Sequence, residues 1–248
     1  MASTSETGHS KNVANMDSLA SFTLGYGPAY NPTKISLKTD ALLGISSTAK
    51  KAIADVNLAL PIYSNAVAER DVAFTPLSKL ATRVLNALKA TDASSPMIDN
   101  AKTLVRKIQG VRATPKKTPD QKKVLEEAGK EVVEISTSQM SFNSRMESFD
   151  KLINLLNTIP FYGPNESELT IESLTALSNR LKEKNSAVIA AVIPLSNARL
   201  ARNNVLYKTD TGLVDMAMDA KFYIKSLFGA TSPEYKQVSK LEFRNYPV

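Results

Sequence analysis

Cysteine is absent from this 248-residue chain, and histidine occurs once, at His9. The first absence excludes a disulfide framework and any Cys-based metal or redox site. The second excludes the usual zinc sites and the Ser-His and Cys-His nucleophile systems, unless the N-terminal segment folds back onto the rest. Di-iron bundles need Glu-x-x-His pairs on facing helices, and no histidine is available to supply them. No Gly-x4-Gly-Lys-Ser/Thr loop is present, and Gly25-Tyr26-Gly27 lacks the third glycine of a dinucleotide loop. Nine glycines and 6% aromatics are low for an all-β protein. The longest apolar run, Ala187–Leu195, has nine residues. A spanning helix needs about 20, so no transmembrane segment is expected. Residues 1–15 are mostly Ser, Thr, Asn and charge, which reads as a flexible tail carrying a solvated His9, not as a signal peptide. A cytoplasmic protein is therefore expected.

What remains is an ordinary globular composition, 43% hydrophobic and 22% charged. The charge is uneven. Between Lys102 and Lys123 lie eight basic residues and one acidic residue, and the resulting excess equals the whole formal net charge of +7. Within that stretch Arg106, Lys107, Arg112, Lys116, Lys117, Lys122 and Lys123 are candidate anion-binding residues, able to neutralise phosphates. The stretch has no aromatic residue to stack on bases. Pro115 and Pro119 also give it the character of a linker.

Nearly every other segment has the helical period. Leu77, Leu80, Ala81, Val84, Leu85 and Leu88 form an apolar stripe, with Thr75 and Pro76 placed as N-cap and first helical residue. Ile98, Ala101, Leu104, Val105 and Ile108 form a second stripe, ending at Gly110. Met146, Phe149, Leu152, Ile153 and Leu156 form a third. A further helix is expected over about 212 to 228, stopped by Gly229. Two longer segments carry a seam of 3.5-residue spacing, as in helices packed at a shallow angle. One runs through Ile45, Ala49, Ala52, Val56, Ala59, Tyr63 and Ala66; the other through Leu174, Leu181, Val188 and Leu195. Pro61 and Pro194 fall inside these segments and predict a kink or a break. Gln121–Ile135 suits a short charged helix, and Lys240–Tyr246 an extended end.

The same marks recur in the same order. Tyr26-Gly27-Pro28 returns as Tyr162-Gly163-Pro164, and Ser64-Asn65-Ala66 as Ser196-Asn197-Ala198. Arg70 returns as Arg202, and Ala93-Ser94-Ser95-Pro96 as Ala230-Thr231-Ser232-Pro233. Spacings of 132 to 137 residues argue for one helical unit used twice. The expected architecture is an all-α, elongated helical bundle of two homologous units. Residues 16–110 and 138–248 form the units, and a basic linker with a short charged helix at 111–137 joins them. Asn65, Arg70, Asn197 and Arg202 are candidates for matching polar contacts between the repeats. The stretches around Ser196–Tyr207 and Gly212–Pro233 resemble an all-helical protein family of Bacteroidota bacteria that carries no assigned activity. The resemblance implies a bacterial source and transfers no site residue.

No catalytic, cofactor-binding or metal-binding residue stands out. Glu127, Glu131 and Glu134 read as a solvated acidic face, and Asp215 with Asp219 as ordinary surface pairing. The expected function is a non-enzymatic structural or protein-interaction role, with protein as the partner. Binding of nucleic acid or an anionic surface through 102–123 is the alternative, and a membrane-active helical protein is the third reading.

Overall fold

The computed structural model describes residues 7–111, 118, 123–124, 127–128 and 141–246. They are overwhelmingly helical, with no strand among them. In chain order the helices are α1 (Thr7–Gly25), α2 (Thr39–Phe74), α3 (Leu77–Lys89), α4 (Ser95–Gln109), α5 (Phe142–Asn157), α6 (Ile171–Tyr207), α7 (Leu213–Phe228) and α8 (Pro233–Ser239). Short 3-10 turns at Ile35–Leu37 and Ser167–Leu169 lead into α2 and α6. Among the described residues no helix is long and apolar enough to cross a membrane.

The apolar stripes decide what is buried. Leu77, Ala81, Val84, Leu85 and Leu88 of α3 are buried, as are Ala101, Val105 and Ile108 of α4. The seam of α6 is buried at Leu174, Leu181, Val188 and Leu195. Gly110 ends α4 in the left-handed region at φ 69°, and the Val111 N–H returns to the Arg106 carbonyl at 2.9 Å. Glycine is favoured there because it has no Cβ to collide with the carbonyl. Gly212 answers a different constraint. Its N–H reaches the Lys208 carbonyl at 2.6 Å, and an added Cβ would lie 2.6 Å from that same oxygen.

Several local expectations are corrected. Residues 7–15 are no flexible tail: they begin α1, where Asn12 and Val13 are buried. Thr75 does not cap α3; its hydroxyl donates back to the Asp71 carbonyl of α2 at 2.8 Å, and Pro76 holds the cap position. Neither Pro61 nor Pro194 breaks its helix. Each proline is exposed, and so is the residue four positions earlier whose carbonyl loses its partner, so water can take the lost bond. Lys240–Tyr246 has neither helix nor strand. Most of the expected linker and charged helix, 111–137, lies outside the described residues.

The chain divides into two compact units that do not follow chain order, unlike the expected blocks 16–110 and 138–248. One takes the described residues up to Ser64 together with those from Ala191 onward; the other spans Asn65–Ala190. The helices α2 and α6 each contribute residues to both. Each unit has its own core. In the Asn65–Ala190 unit, Phe74, Leu77, Val84, Ile108, Phe149, Leu152, Leu156, Leu174 and Leu181 form one buried cluster, with α4 packed on α3 and α5. In the other, Met16, Leu19, Leu42, Ala49, Leu206, Leu213, Ala217, Ile224 and Val238 form a second, with α7 packed on α1 and α8. Phe149 is fully buried at 0% exposure. Phe149→Ala is expected to cost about 3–5 kcal/mol, from lost burial and the cavity left behind. A drop in the urea midpoint at constant slope checks it.

Candidate functional site: the paired tyrosine turns

Each long helix is entered through a turn closed by a buried tyrosine. The Tyr30 hydroxyl donates to the Leu37 carbonyl at 2.7 Å, and the Tyr162 hydroxyl donates to the Leu169 carbonyl at 2.8 Å. In both turns the acceptor is the last residue of the 3-10 segment, and its leucine side chain is itself buried. A buried hydroxyl without an acceptor would be costly, so the bond fixes where the tyrosine stands. Burial raises the pKa of both phenols, that of Tyr162 to about 12. Both therefore stay neutral donors at ordinary pH.

This sets a register that the letters concealed. The counterpart of Tyr162 is Tyr30, 132 residues earlier, not Tyr26. Tyr26 instead donates to the Glu234 carbonyl at 3.0 Å and meets the Phe228 ring edge-on. A spacing of 132 also separates Asn65 from Asn197 and Arg70 from Arg202.

The same register aligns a second set of contacts. On the helix before each turn, a carboxylate takes a serine and a lysine from the long helix that follows. Asp17 accepts from Ser46 at 2.8 Å and from Lys50; Asp150 accepts from Ser178 and pairs with Lys182 at 2.7 Å. The hydrogen bonds from Lys50 and Ser46 hold the Asp17 carboxyl below its usual value. Ser46 and Ser178 are both buried, so each needs the partner it has.

A third set joins each turn to a helix distant in sequence, with the signs reversed. The Lys34 ammonium meets Asp219 of α7 at 2.6 Å, and that bond raises the lysine's pKa. In the other unit Arg83 of α3 pairs with Glu168. Beside this second pair is a cavity of about 430 Å³, lined among others by Arg83, Asn86, Thr91, Tyr162, Asn165 and Glu166. It presents a guanidinium, two amides, a hydroxyl and a carboxylate, a set suited to hydrogen bonding a polar group. Among the described residues no group of three His, Cys, Asp or Glu could hold a metal ion.

The other candidates take local roles. The Arg70 guanidinium lies over the Phe142 ring at 3.8 Å, and its Nε is buried without a hydrogen bond. Arg202 is buried and donates through Nε and Nη2 to Asn203 Oδ1, at 3.0 and 2.8 Å. Asn65 and Asn197 are exposed, on α2 and α6. Arg106 and Lys107 occupy the last turn of α4, where cations complement the negative end of the helix dipole. Lys123 is exposed; Arg112, Lys116, Lys117 and Lys122 lie outside the described residues. Asp215 accepts the Asp210 N–H at 2.9 Å, steadying a residue at φ 65°.

His9 is not a solvated tail residue. Its Nδ1 hydrogen-bonds the Tyr207 hydroxyl at 2.6 Å, and its ring meets the edge of Tyr246. Tyr246 leans on Gly8, where a Cβ would run into its ring. Nearby, Asn12 clamps the Arg244 backbone, donating to its carbonyl at 2.7 Å and accepting its N–H at 3.1 Å.

Tyr30, Lys34, Asp17, Asp150, Glu168 and Arg83 escaped the sequence reading. The available signal was the 132-residue spacing of the Ser-Asn-Ala marks, which applied throughout also brings together Ser46 with Ser178 and Lys50 with Lys182. Tyr30→Phe and Tyr162→Phe should each cost about 1 kcal/mol in urea unfolding, by leaving a buried carbonyl unpaired. The unfolded phenol ionises near 10.0 while that of Tyr162 in the fold waits until about 12. Wild-type stability should therefore fall as pH rises through that window, and the double variant should show a flatter profile. In comparisons with known proteins, no family model matches the chain, and no curated protein or solved structure matches it.

Proposed function

We propose that the protein is a non-enzymatic structural or protein-interaction protein built from a duplicated helical unit. One observation carries this reading. Three sets of polar contacts recur about 132 residues apart, and all three spend their hydroxyls, carboxylates and cations on joining helices to turns. The residues with the most reactive side chains are thereby committed to holding the fold. A scaffold of this kind presents helix surfaces to a protein partner. The polar cavity at Arg83 and Glu166 is the place where an enzymatic reading would act. A broad hydrolase and transferase screen is expected to give no turnover with the purified chain. Turnover that is abolished by Asn86→Ala or Asn165→Ala, in variants that still fold, would overturn the proposal.

The second reading is anion binding through residues 102–123, favoured by the concentration of the whole net charge in that stretch. Binding of this kind weakens steeply with salt, because it releases counterions from the phosphates. Reversing the charge of Lys116, Lys117, Lys122 and Lys123 should abolish binding to a DNA duplex at low salt. Unchanged binding in that variant rejects it.

A further inference from the structure

The two compact units each combine the beginning of one repeat with the end of the other, if the duplication proposed above is accepted. The unit that holds α1, the Tyr30 turn and the first part of α2 is completed by α7 and α8. The unit that holds α5, the Tyr162 turn and the first part of α6 is completed by α3 and α4. Two copies of one unit could also pack in order, each beginning with its own end, with the long helices turning back near Pro61 and Pro194.

We propose that the Lys34–Asp219 and Arg83–Glu168 pairs form a charge code that selects the exchanged packing over the in-order packing. Arg83 and Asp219 hold the same place: each is the seventh residue of its helix, and both helices begin with a fully buried leucine, Leu77 and Leu213. Lys34 and Glu168 hold neighbouring places, in or beside the 3-10 segment that follows the buried tyrosine. The observed packing therefore sets Lys34 against Asp219 at 2.6 Å and Glu168 against Arg83. In-order packing would set Lys34 against Arg83 and Glu168 against Asp219, like charge against like at both sites. One exposed ion pair contributes little. The difference between the two packings counts two attractions gained and two repulsions avoided, which amounts to a population ratio on the order of tenfold or more. Discrimination by building repulsion into the wrong pairing is a general route to specificity.

A second pair of contacts distinguishes the same two packings. Ahead of the α1 core, His9 bonds to the Tyr207 hydroxyl at 2.6 Å. At the matching place in the other unit the contact is apolar, Phe142 meeting Phe74 edge-on at 4.8 Å. In-order packing would bring the imidazole toward Phe74 and the tyrosine hydroxyl toward Phe142, and each polar atom would lose its partner. The surface formed by a tyrosine turn and its preceding helix is thus an interaction surface, and its partner is the end of the other repeat.

The full-length chain allows a direct test, because a carbodiimide links a lysine to a carboxylate only where the two are in contact, and peptide mass spectrometry names the pair. Wild type should give the Lys34–Asp219 link. The variant Arg83→Asp with Asp219→Lys reverses the code, and its monomer fraction should instead link residue 34 to residue 83 and residue 168 to residue 219. A folded variant lacking both of those links would overturn the proposal. If that variant does not fold, Arg83→Asp with Glu168→Lys keeps an opposite-charge pair in either packing. It should show the 34–83 link beside the 34–219 link; the 34–219 link alone would again overturn the code. The duplication beneath it is read separately, from whether Tyr30→Phe and Tyr162→Phe lose stability alike.

Discussion

A tyrosine hydroxyl taken out of water must find an acceptor, and in this chain the acceptor is a backbone carbonyl seven residues further on. That one requirement curls the chain between Tyr30 and Leu37, and again between Tyr162 and Leu169, into a turn of fixed length. The turn sets the angle at which each long helix departs from the helix before it. Once the angle is set, Asp17 can reach Ser46 and Lys50, and Asp150 can reach Ser178 and Lys182. The same turn carries Lys34 and Glu168 outward to the helices that complete each unit. Loosening the tyrosine would leave all the other contacts without a frame.

The two units solve the same packing problem with different chemistry at their margins. One closes with a histidine, two further tyrosines and a C-terminal segment tied down by Asn12. The other closes with Phe74 and Phe142, a guanidinium stacked on the latter, and Arg145 donating to the Ile108 carbonyl at 3.1 Å. Burial lowers the pKa of Arg145, the ordinary consequence of removing a cation from water. The interiors are interchangeable in kind, leucine, alanine and phenylalanine throughout. The margins are not, and margins are where specificity between near-identical cores has to be written.

The helices were legible because burial leaves a periodic trace. The stripe from Leu77 to Leu88 and the seam from Leu174 to Leu195 were readable in the sequence and are buried in the structure. The first helix was missed because its stripe is diluted: Asn12, Met16 and Thr23 are buried beside exposed Ala14 and Leu24. The turns were misread by four residues because Tyr-Gly-Pro is conspicuous and Tyr30-Asn31-Pro32 is not. What the turn requires is a tyrosine at a fixed distance from a carbonyl, and the glycine is incidental. The ion pairs were illegible for another reason. Lys34, Arg83, Glu168 and Asp219 each resemble any surface charge until their neighbours are known.

The amino-acid order by itself determined that this chain is helical, which faces of its helices are greasy, and that no cysteine- or histidine-based site of the usual kind could be assembled from its composition. These follow from local periodicity and residue chemistry, which need no knowledge of distant neighbours. Only the tertiary structure decided that residues before Ser64 fold with those after Ala191, and that Asn65–Ala190 folds as a unit between them. An apolar stripe states that it must be covered and is nearly indifferent to what covers it. The choice falls to buried hydroxyls and paired charges, whose energies depend on separations of a few ångströms that the linear sequence does not contain.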